Sequence, residues 1–150
     1  MTRINCAIPV EDLTDEHLLA EHREIKRLPG CLSKSIKSGS INKVPKKFCL
    51  GKGHVIFFVD KGKFTLNRYK ELYKECLKRG FNPTDFSSNW DICDDKYMND
   101  YIPSVDDECI LKDRIIYRIL NSPKKNFRYY GRKITKDEAI CILNNKLVNL

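Results

Sequence analysis

The sequence lacks the features that would mark a membrane or secreted protein. Across its 150 residues, no apolar run approaches the roughly 20 residues that a bilayer-spanning helix requires. The first residues have neither the apolar stretch nor the small-residue cleavage site of a secretory signal. Internal repeats, low-complexity tracts and obvious linkers are also missing. We therefore expect one compact, water-soluble domain that stays inside the cell and makes no membrane contact.

The cysteines lack a spacing that would indicate a shared site. Seven are scattered along the chain, without a Cys-x-x-Cys pair or a nearby His-x-x-x-His. This pattern argues against a disulfide framework and against a structural zinc site. We predict reduced thiols that serve mostly as small buried hydrophobic residues. The sequence also has no Asp, Glu and His cluster with ligand-like spacing, which disfavours a metal-dependent nuclease.

Positive charge is what the chain has in excess. Its 28 Lys and Arg outnumber 20 Asp and Glu, which gives a formal net charge of +8 at pH 7. Such a surface suits a polyanionic partner, because neutralising phosphates releases counterions and gives affinity that is independent of sequence. Charge alone leaves three alternatives open: a nucleic acid, an anionic membrane surface, or no polyanion at all.

Capping residues and apolar periodicity predict a first helix and a break within it. Thr14 can cap the helix, and two acidic residues occupy its first turn. The helix is expected to run to about Leu28. Pro29 and Gly30 then predict a kink or break before a continuation through Ile36.

Two further helices have clearer boundaries. A second helix fits residues 65–79, and Gly80 is placed to end it. The third begins at a capping box formed by Ser104 and Asp107 and carries an apolar face up to Leu120.

The remaining segments are less regular. Residues 55–59 form an apolar island that could be a buried strand or an extended segment lying on helices. Residues 82–103 are rich in polar and turn-forming residues and predict a long irregular connection. A basic aromatic cluster occupies residues 124–133, and Thr135 with Glu138 opens a short carboxy-terminal helix.

Thr2 is the first of three features that could carry chemistry. Removal of Met1 would leave Thr2 with a free α-amine, whose pKa of about 7.7 to 8.0 lies well below the value of about 10.4 for lysine. Its neutral fraction at pH 7 is therefore larger by roughly two orders of magnitude. Attack on a sugar C1′ then becomes feasible without a buried lysine. Taken alone, a Met-Thr start carries no such meaning.

The second feature is a charged face of the first helix. Arg23 and Arg27 lie four residues apart and project together, Glu24 lies between them, and His17 is on the same face as Glu24. A carboxylate surrounded by arginines stays ionised, which suits stabilising a cation. The alternative is a solvent-exposed face crossed by salt bridges.

The third feature combines the basic aromatic cluster with Arg114 and Arg118 on the third helix. Aromatic rings can stack on bases while the neighbouring cations hold phosphates. The alternative is that the rings of Phe127, Tyr129 and Tyr130 pack the tail onto the core, and both roles are compatible.

Several blocks of this chain occur, in the same order, in a known family. They are Met1-Thr2-Arg3-Ile4-Asn5, the His-Leu-x-Ala-Glu-x-Arg-Glu core from His17 to Glu24, Arg27, Leu50-Gly51-Lys52-Gly53-His54-Val55-Ile56-Phe57-Phe58, Glu75-Cys76-Leu77-Lys78-Arg79-Gly80-Phe81-Asn82, Asp100-Tyr101-Ile102-Pro103 and Tyr129-Tyr130-Gly131. With these blocks, residues 1 to about 133 resemble the pyrimidine-dimer DNA glycosylase/AP lyases of phage and algal viruses.

The resemblance implies an all-α fold. We expect a single compact domain of three main helices with long irregular connections and an amino-terminal segment threaded between the helices, formed by residues 1–133. Residues 55–59 would then be an extended segment. Residues 134–150 would be an extension, with a short helix, packed on the same domain. Lys26 stands where the family has a proline, so the kink of the first helix is expected to move towards Pro29.

The resemblance also implies an activity and its catalytic residues. The Thr2 amine would attack C1′ at a cyclobutane pyrimidine dimer, and Glu24 would stabilise the cationic C1′ and help move the C2′ proton. A Schiff base and β-elimination would follow, with no metal or organic cofactor. The DNA-binding residues implied are Arg3, His17, Arg23, Arg27, Arg114 and Arg118.

The expected partner is UV-damaged double-stranded DNA, bound by a monomer. The Lys-, Asn- and Ile-rich composition is typical of an AT-rich genome, so a virus-encoded protein is one interpretation. The rival hypothesis is a non-catalytic basic nucleic-acid-binding module on the same scaffold.

Overall fold

In the computed structural model, which describes residues 4–145, helices dominate. The helices are α1 Asp15–Ile25, α2 Leu28–Ser38, α3 Gly53–Phe58, α4 Gly62–Lys78, α5 Val105–Leu120 and α6 Lys136–Leu143. Short 3-10 helices cover Val10–Asp12, Ser40–Lys43, Ser87–Ile92 and Asp95–Tyr97, and the strands are β1 Asn126–Tyr129 and β2 Arg132–Thr135. Within residues 4–145, no helix is both long and apolar enough to cross a bilayer.

The predicted break in the first helix is confirmed, but it falls earlier than expected. α1 begins after Thr14, whose hydroxyl accepts the His17 N–H at 3.2 Å, and it ends at Ile25. α2 then begins at Leu28 with Pro29 in its first turn. A proline removes the N–H that would bond the carbonyl four residues before it, and its ring clashes with that carbonyl. The carbonyl four residues before Pro29 belongs to Ile25, which explains where α1 stops.

The expectation of an extended segment at residues 55–59 is wrong. Most of this island belongs to α3, whose buried residues are His54, Phe57 and Phe58. Their spacing of three and four residues is that of one helix face. A short apolar run cannot distinguish strand from helix, and here the helical spacing only becomes visible when His54 is counted as a buried residue.

The other predicted helices are confirmed with small shifts at their ends. α4 begins three residues earlier than expected, at Gly62, and ends at Lys78. Complete capping boxes open α5, through Ser104 and Asp107, and α6, through Thr135 and Glu138. Reciprocal side-chain bonds of this kind satisfy backbone N–H groups that have no partner inside the helix.

The structure departs from an all-α fold at the basic aromatic cluster. β1 and β2 form a two-stranded antiparallel hairpin in which Phe127 pairs with Ile134 and both are buried. Tyr130 and Gly131 connect the strands with φ of 52° and 77°. Two consecutive residues with positive φ match the right-handed twist of a tight hairpin. The Asp15 carboxylate on α1 accepts both of their backbone N–H groups, at 3.1 and 3.0 Å.

The connection between α4 and α5 is irregular, as predicted, yet it is anchored. Its only turns of regular structure among the described residues are the two 3-10 helices between Ser87 and Tyr97. Buried Trp90 donates its indole N–H to Thr65 on α4 at 3.0 Å. This bond gives the polar end of a buried indole a partner, which fixes the loop against the helix.

One buried apolar cluster runs through the molecule. Its largest fully buried members come from the amino-terminal segment, α1, α3, α4 and α5: Ile4, Ile8, Leu13, Leu18, Ile25, Phe57, Phe58, Tyr69, Leu72, Leu111, Ile115 and Ile119. Ile134, Ala139 and Leu143 belong to the same cluster. The residues after 145 lie outside the described residues, and the division into a domain and an extension stays a prediction.

The cysteines correct one expectation. All seven are free thiols, but only Cys6 and Cys76 are buried, while Cys109 is exposed and the other four are partly exposed. Burial raises the pKa of the Cys6 thiol to about 12, so it remains protonated at neutral pH. Most of the cysteines are therefore not core residues.

Candidate functional site

A cleft of about 140 Å³ lies between α1 and α5. Its lining consists of Asn5, His17, Ala20, Glu21, Glu24, Arg114, Ile115 and Arg118. The other three α1 residues of this lining follow His17 by three, four and seven positions, which places all four along one side of the helix. Two arginines of α5 stand across from two carboxylates of α1, so the cleft combines acidic groups with cations.

Four of the predicted site residues meet in this cleft, namely His17, Glu24, Arg114 and Arg118. Arg23 of α1 and Arg27 at the start of α2 do not line it. Arg23 is exposed, and Arg27 is an exposed residue at the start of α2 that borders a separate groove with Pro29 and Asn89. Thr2 and Arg3 lie outside the described residues.

His17 is held in place from two sides. Its Nδ1 lies 2.8 Å from the hydroxyl of Thr14, the residue that also caps α1. Its ring stacks on buried Phe127 of β1, with 5.8 Å between ring centroids and 17° between planes. The hairpin therefore contributes to the cleft by fixing the orientation of an imidazole at its edge.

Glu21 forms a buried ion pair beneath the cleft. Arg68 of α4 donates to both of its carboxylate oxygens, from Nε at 2.8 Å and from Nη2 at 3.0 Å. Burial opposes the charge of Arg68, but the Glu21 carboxylate outweighs that effect and raises the pKa of the guanidinium. Arg68 also donates to the carbonyl of Ile8 at 2.7 Å. Both carboxylate oxygens of Glu21 are therefore bound by Arg68, whereas Glu24 is partly exposed in the cleft.

Residues 4 and 5 are tied to two helices. The Ile4 N–H donates to Nε2 of His54 at 3.0 Å, and the Ile4 carbonyl accepts from Arg114 at 3.2 Å. Arg114 also donates to the Asn5 side-chain oxygen at 3.0 Å. A cation predicted to face DNA therefore also holds the beginning of the described chain against the cleft.

His54 is neutral in this environment. Burial, reinforced by the positive charge of Arg114, lowers the pKa of the imidazole to about 4. Its Nδ1 lies 3.0 Å from the Cys49 carbonyl. The sequence patterns predict no role for His54, Asn5 or Arg68, although the first two lie in the segments that carry the family resemblance. The available signal was the spacing of His54 with Phe57 and Phe58 on one helix face.

A second buried cation secures the opposite end of α1. Arg79 of α4 pairs with Asp15 and with Glu75, each at 3.0 Å, and donates to the Leu13 carbonyl at 2.7 Å. Its guanidinium also lies 4.4 Å from the ring centroid of Tyr130. Because Asp15 also binds the hairpin turn, this group joins α1, α4 and the hairpin. Its position away from the cleft indicates a structural role.

A family model described as pyrimidine dimer DNA glycosylase matches residues 1–89, more than half of the chain. The chain belongs to this family. The match includes the cleft residues of α1 together with Asn5 and His54, while α5 and the hairpin lie beyond it. Membership makes this glycosylase a DNA repair enzyme whose substrate class is DNA containing pyrimidine dimers.

Metal binding requires side chains that can act as ligands to lie close together. Within residues 4–145, no group of three or more His, Cys, Asp and Glu side chains is arranged to hold a metal ion. Of the carboxylates at the cleft, Glu21 is paired with Arg68.

Proposed function

We propose that this glycosylase excises cyclobutane pyrimidine dimers through a Schiff base on the Thr2 α-amine and then cuts the strand as an AP lyase. The observation that carries the proposal is the cleft itself, where the Glu24 carboxylate and two arginines lie beside Asn5, three residues from Thr2. A carboxylate among cations is suited to stabilising positive charge that develops on a sugar.

Covalent geometry supports access of the amine to this cleft. Ile4 is buried and hydrogen-bonded through both its N–H and its carbonyl. Two residues separate the Thr2 nitrogen from the Ile4 nitrogen, and such a segment spans at most about 7 Å. Because Asn5 lines the cleft, we expect an amine this close to Ile4 to reach the cleft once Met1 has been removed.

The first chemical step is a substitution at C1′. The lone pair of the Thr2 amine attacks C1′ of the 5′ nucleotide, and the electrons of the C1′–N glycosidic bond leave with the base, which takes up a proton. The nitrogen then loses one of its two protons, the C1′–O4′ bond breaks and O4′ takes up a proton, which leaves an iminium with one N–H between the enzyme and C1′. The base remains attached to its neighbour through the cyclobutane ring. Glu24 stabilises the cationic C1′ throughout.

The second step breaks the strand. Removal of a C2′ proton, assisted by Glu24, sends electrons towards the iminium, and the C3′–O bond breaks with departure of the 3′ phosphate. Water then hydrolyses the imine and regenerates the amine. Neither step consumes a metal ion or an organic cofactor.

The cations around the cleft would hold the duplex. Arg114 and Arg118 line the cleft with Glu24, and Arg23 of α1 and Arg27 at the start of α2 are exposed. We propose that they contact phosphates around the lesion together with Arg3, and that His17 lies beside the reacting nucleotide. Binding in this mode is electrostatic and depends on salt.

We further propose that residues 1–133 constitute the catalytic domain and residues 134–150 an extension of it, and that the enzyme acts as a monomer inside its host cell. Buried Ile134, Ala139 and Leu143 support an extension that packs on the same core. Its origin in a virus stays a prediction from composition.

Borohydride trapping tests the proposed chemistry. Protein whose amino terminus is shown by mass spectrometry to be Thr2 should form a covalent adduct with UV-irradiated duplex, and EDTA should not affect it. Protein that retains Met1 should form none. Glu24→Gln should bind the duplex but cleave it at least about 100-fold more slowly. Normal cleavage by Glu24→Gln together with no adduct would rule out the mechanism. Binding of the duplex with neither adduct nor cleavage in the unsubstituted protein would instead support a DNA-binding module.

A further inference from the structure

His54 has no role in the proposed chemical steps. It lies on α3, is only 2% exposed, and contacts two separate parts of the chain through its two ring nitrogens. Nε2 is 3.0 Å from the Ile4 nitrogen, and Nδ1 is 3.0 Å from the Cys49 carbonyl oxygen. The imidazole therefore bridges the amino-terminal segment and the loop that precedes α3.

The two partners define the tautomer of His54. A backbone N–H can only donate, so Nε2 must carry the lone pair towards Ile4, whereas a carbonyl can only accept, so Nδ1 must carry the proton towards Cys49. The depressed pKa of His54, at about 4, keeps this neutral tautomer intact throughout the neutral range. The rings of Phe48 and Phe58 pack edge-on against the imidazole and hold its plane.

Ile4 has little freedom left. Its side chain is 0% exposed, its N–H is bound by His54, and its carbonyl is bound by Arg114. Only two residues, spanning at most about 7 Å, connect this fixed point to the Thr2 nitrogen. We therefore expect a displacement of the Ile4 amide to shift the region that the amine can reach.

We propose that His54 is a positioning residue, whose hydrogen bond to the Ile4 amide sets the reach of the amino-terminal amine into the cleft. The inference rests on the proposed function, because it assigns the amine as the nucleophile. A nucleophile that must approach one sugar carbon is sensitive to placement, and a shift of about 1 Å can cost on the order of 100-fold in rate.

Two substitutions of His54 separate positioning from simple packing. His54→Gln places an amide oxygen near the original Nε2 and can still accept the Ile4 N–H. His54→Asn places an amide nitrogen near the original Nδ1 and can still donate to Cys49, but it has no group that reaches Ile4. Both remove the ring contacts with Phe48 and Phe58, so this loss is common to the two variants.

The pair should differ in reaction rate and agree in DNA binding. In single-turnover borohydride trapping, His54→Asn should form adduct about 10- to 100-fold more slowly than the unsubstituted protein, and His54→Gln within about 3-fold of it. The Kd for UV-irradiated duplex should change by less than about 2-fold for either variant. In hydrogen exchange, the Ile4 amide should lose protection in His54→Asn alone.

The outcomes distinguish this inference from the proposed function. If unsubstituted protein with a free Thr2 forms no adduct, the proposed chemistry is wrong. If it forms adduct and both variants trap equally fast, or equally slowly, His54 serves packing alone and the inference is overturned. A measurement without substitution guards against misfolding of His54→Asn: the ¹⁵N shifts of His54 should report the Nδ1–H tautomer, and an Nε2–H tautomer would also overturn the inference.

Discussion

At the scale of single residues, two buried side chains hold the amino-terminal segment against the helices. Arg68 binds the Ile8 carbonyl and Glu21, and His54 binds the Ile4 N–H. They differ in charge: the guanidinium is ionised and paired, whereas the imidazole is neutral. Removing one partner of a buried ion pair leaves the charge of the other partner uncompensated. A buried neutral imidazole makes the free energy of unfolding depend on pH, because the unfolded chain binds a proton more readily than the folded chain does.

Arg68→Met should lower the free energy of unfolding by about 3 to 5 kcal/mol, because it leaves the buried Glu21 carboxylate without its partner. The change can be measured by urea denaturation at pH 7. The matched control is Arg68→Met combined with Glu21→Leu, which removes both charges and should recover much of the loss. A loss of less than about 1 kcal/mol in the single variant would contradict the ion pair's structural role.

Stability should fall as the pH drops from 7 to 5, in part because of His54. The ordinary pKa of a histidine is 6.5, and burial lowers that of His54 to about 4, so in this window the unfolded chain binds a proton that the folded chain does not. The contribution at pH 5 is about 2 kcal/mol. Burial also lowers the pKa of His22, which acts in the same direction.

This pH dependence can be checked with His54→Gln, which has no titrating group at that position. Its free energy of unfolding should fall by about 2 kcal/mol less than that of the unsubstituted protein between pH 7 and pH 5. Parallel curves for the two proteins would show that His54 is not held neutral by the fold.

At the scale of elements, the hairpin and the break between α1 and α2 both depend on special residues. The hairpin turn uses positive φ at Tyr130 and Gly131, and its strands place Phe127 against His17. The orientation of His17 at the edge of the cleft therefore depends on the hairpin being folded. Pro29, by contrast, directs the chain out of α1 and into α2 without any unusual backbone angle.

Gly131→Ala and Gly30→Ala should have opposite effects on stability. An alanine at residue 131 would have to adopt φ of +77°, which should cost about 1 kcal/mol. Residue 30 lies in α2 with no atom within 4 Å of an added Cβ, so alanine there should stabilise by about 0.5 kcal/mol. Thermal unfolding of both variants is the measurement. Equal shifts of Tm in the same direction would contradict the turn geometry.

At the scale of the whole molecule, the cationic side chains that give the net charge of +8 fall into two groups, buried structural ones and exposed ones. Arg68 and Arg79 are buried in ion pairs, so they are not available to a polyanion. Arg27 is exposed at the junction of α1 and α2 and can contribute to DNA binding. Composition alone does not distinguish these two groups of cations.

Arg27→Ala should weaken duplex binding and reduce the slope of log K against log salt concentration by about 1, the value expected for one phosphate contact. Arg27→Lys keeps the charge and should retain the slope. Titrations with UV-irradiated duplex at several salt concentrations provide the comparison. An unchanged slope for Arg27→Ala would remove this residue from the phosphate contacts.

By itself, the sequence determined the features that depend on neighbours along the chain. The capping boxes of α5 and α6, the extent of α4 and the presence of a break before Pro29 all follow from residues within one or two turns of each other. The charged side of α1 could be predicted for the same reason, since helical spacing places His17 and Glu24 together. The ordered blocks also predicted the glycosylase family that the match to residues 1–89 confirms.

Only the tertiary structure decided which distant groups meet. α3 is a helix because its apolar face packs into the core, and β1 and β2 pair where Phe127 and Ile134 can be buried, which local propensity did not predict. The bond from Ile4 to His54 spans 50 residues, and that from Arg68 to Glu21 spans 47. No local pattern encodes such contacts, because they form only when the apolar surfaces of separate elements are buried together.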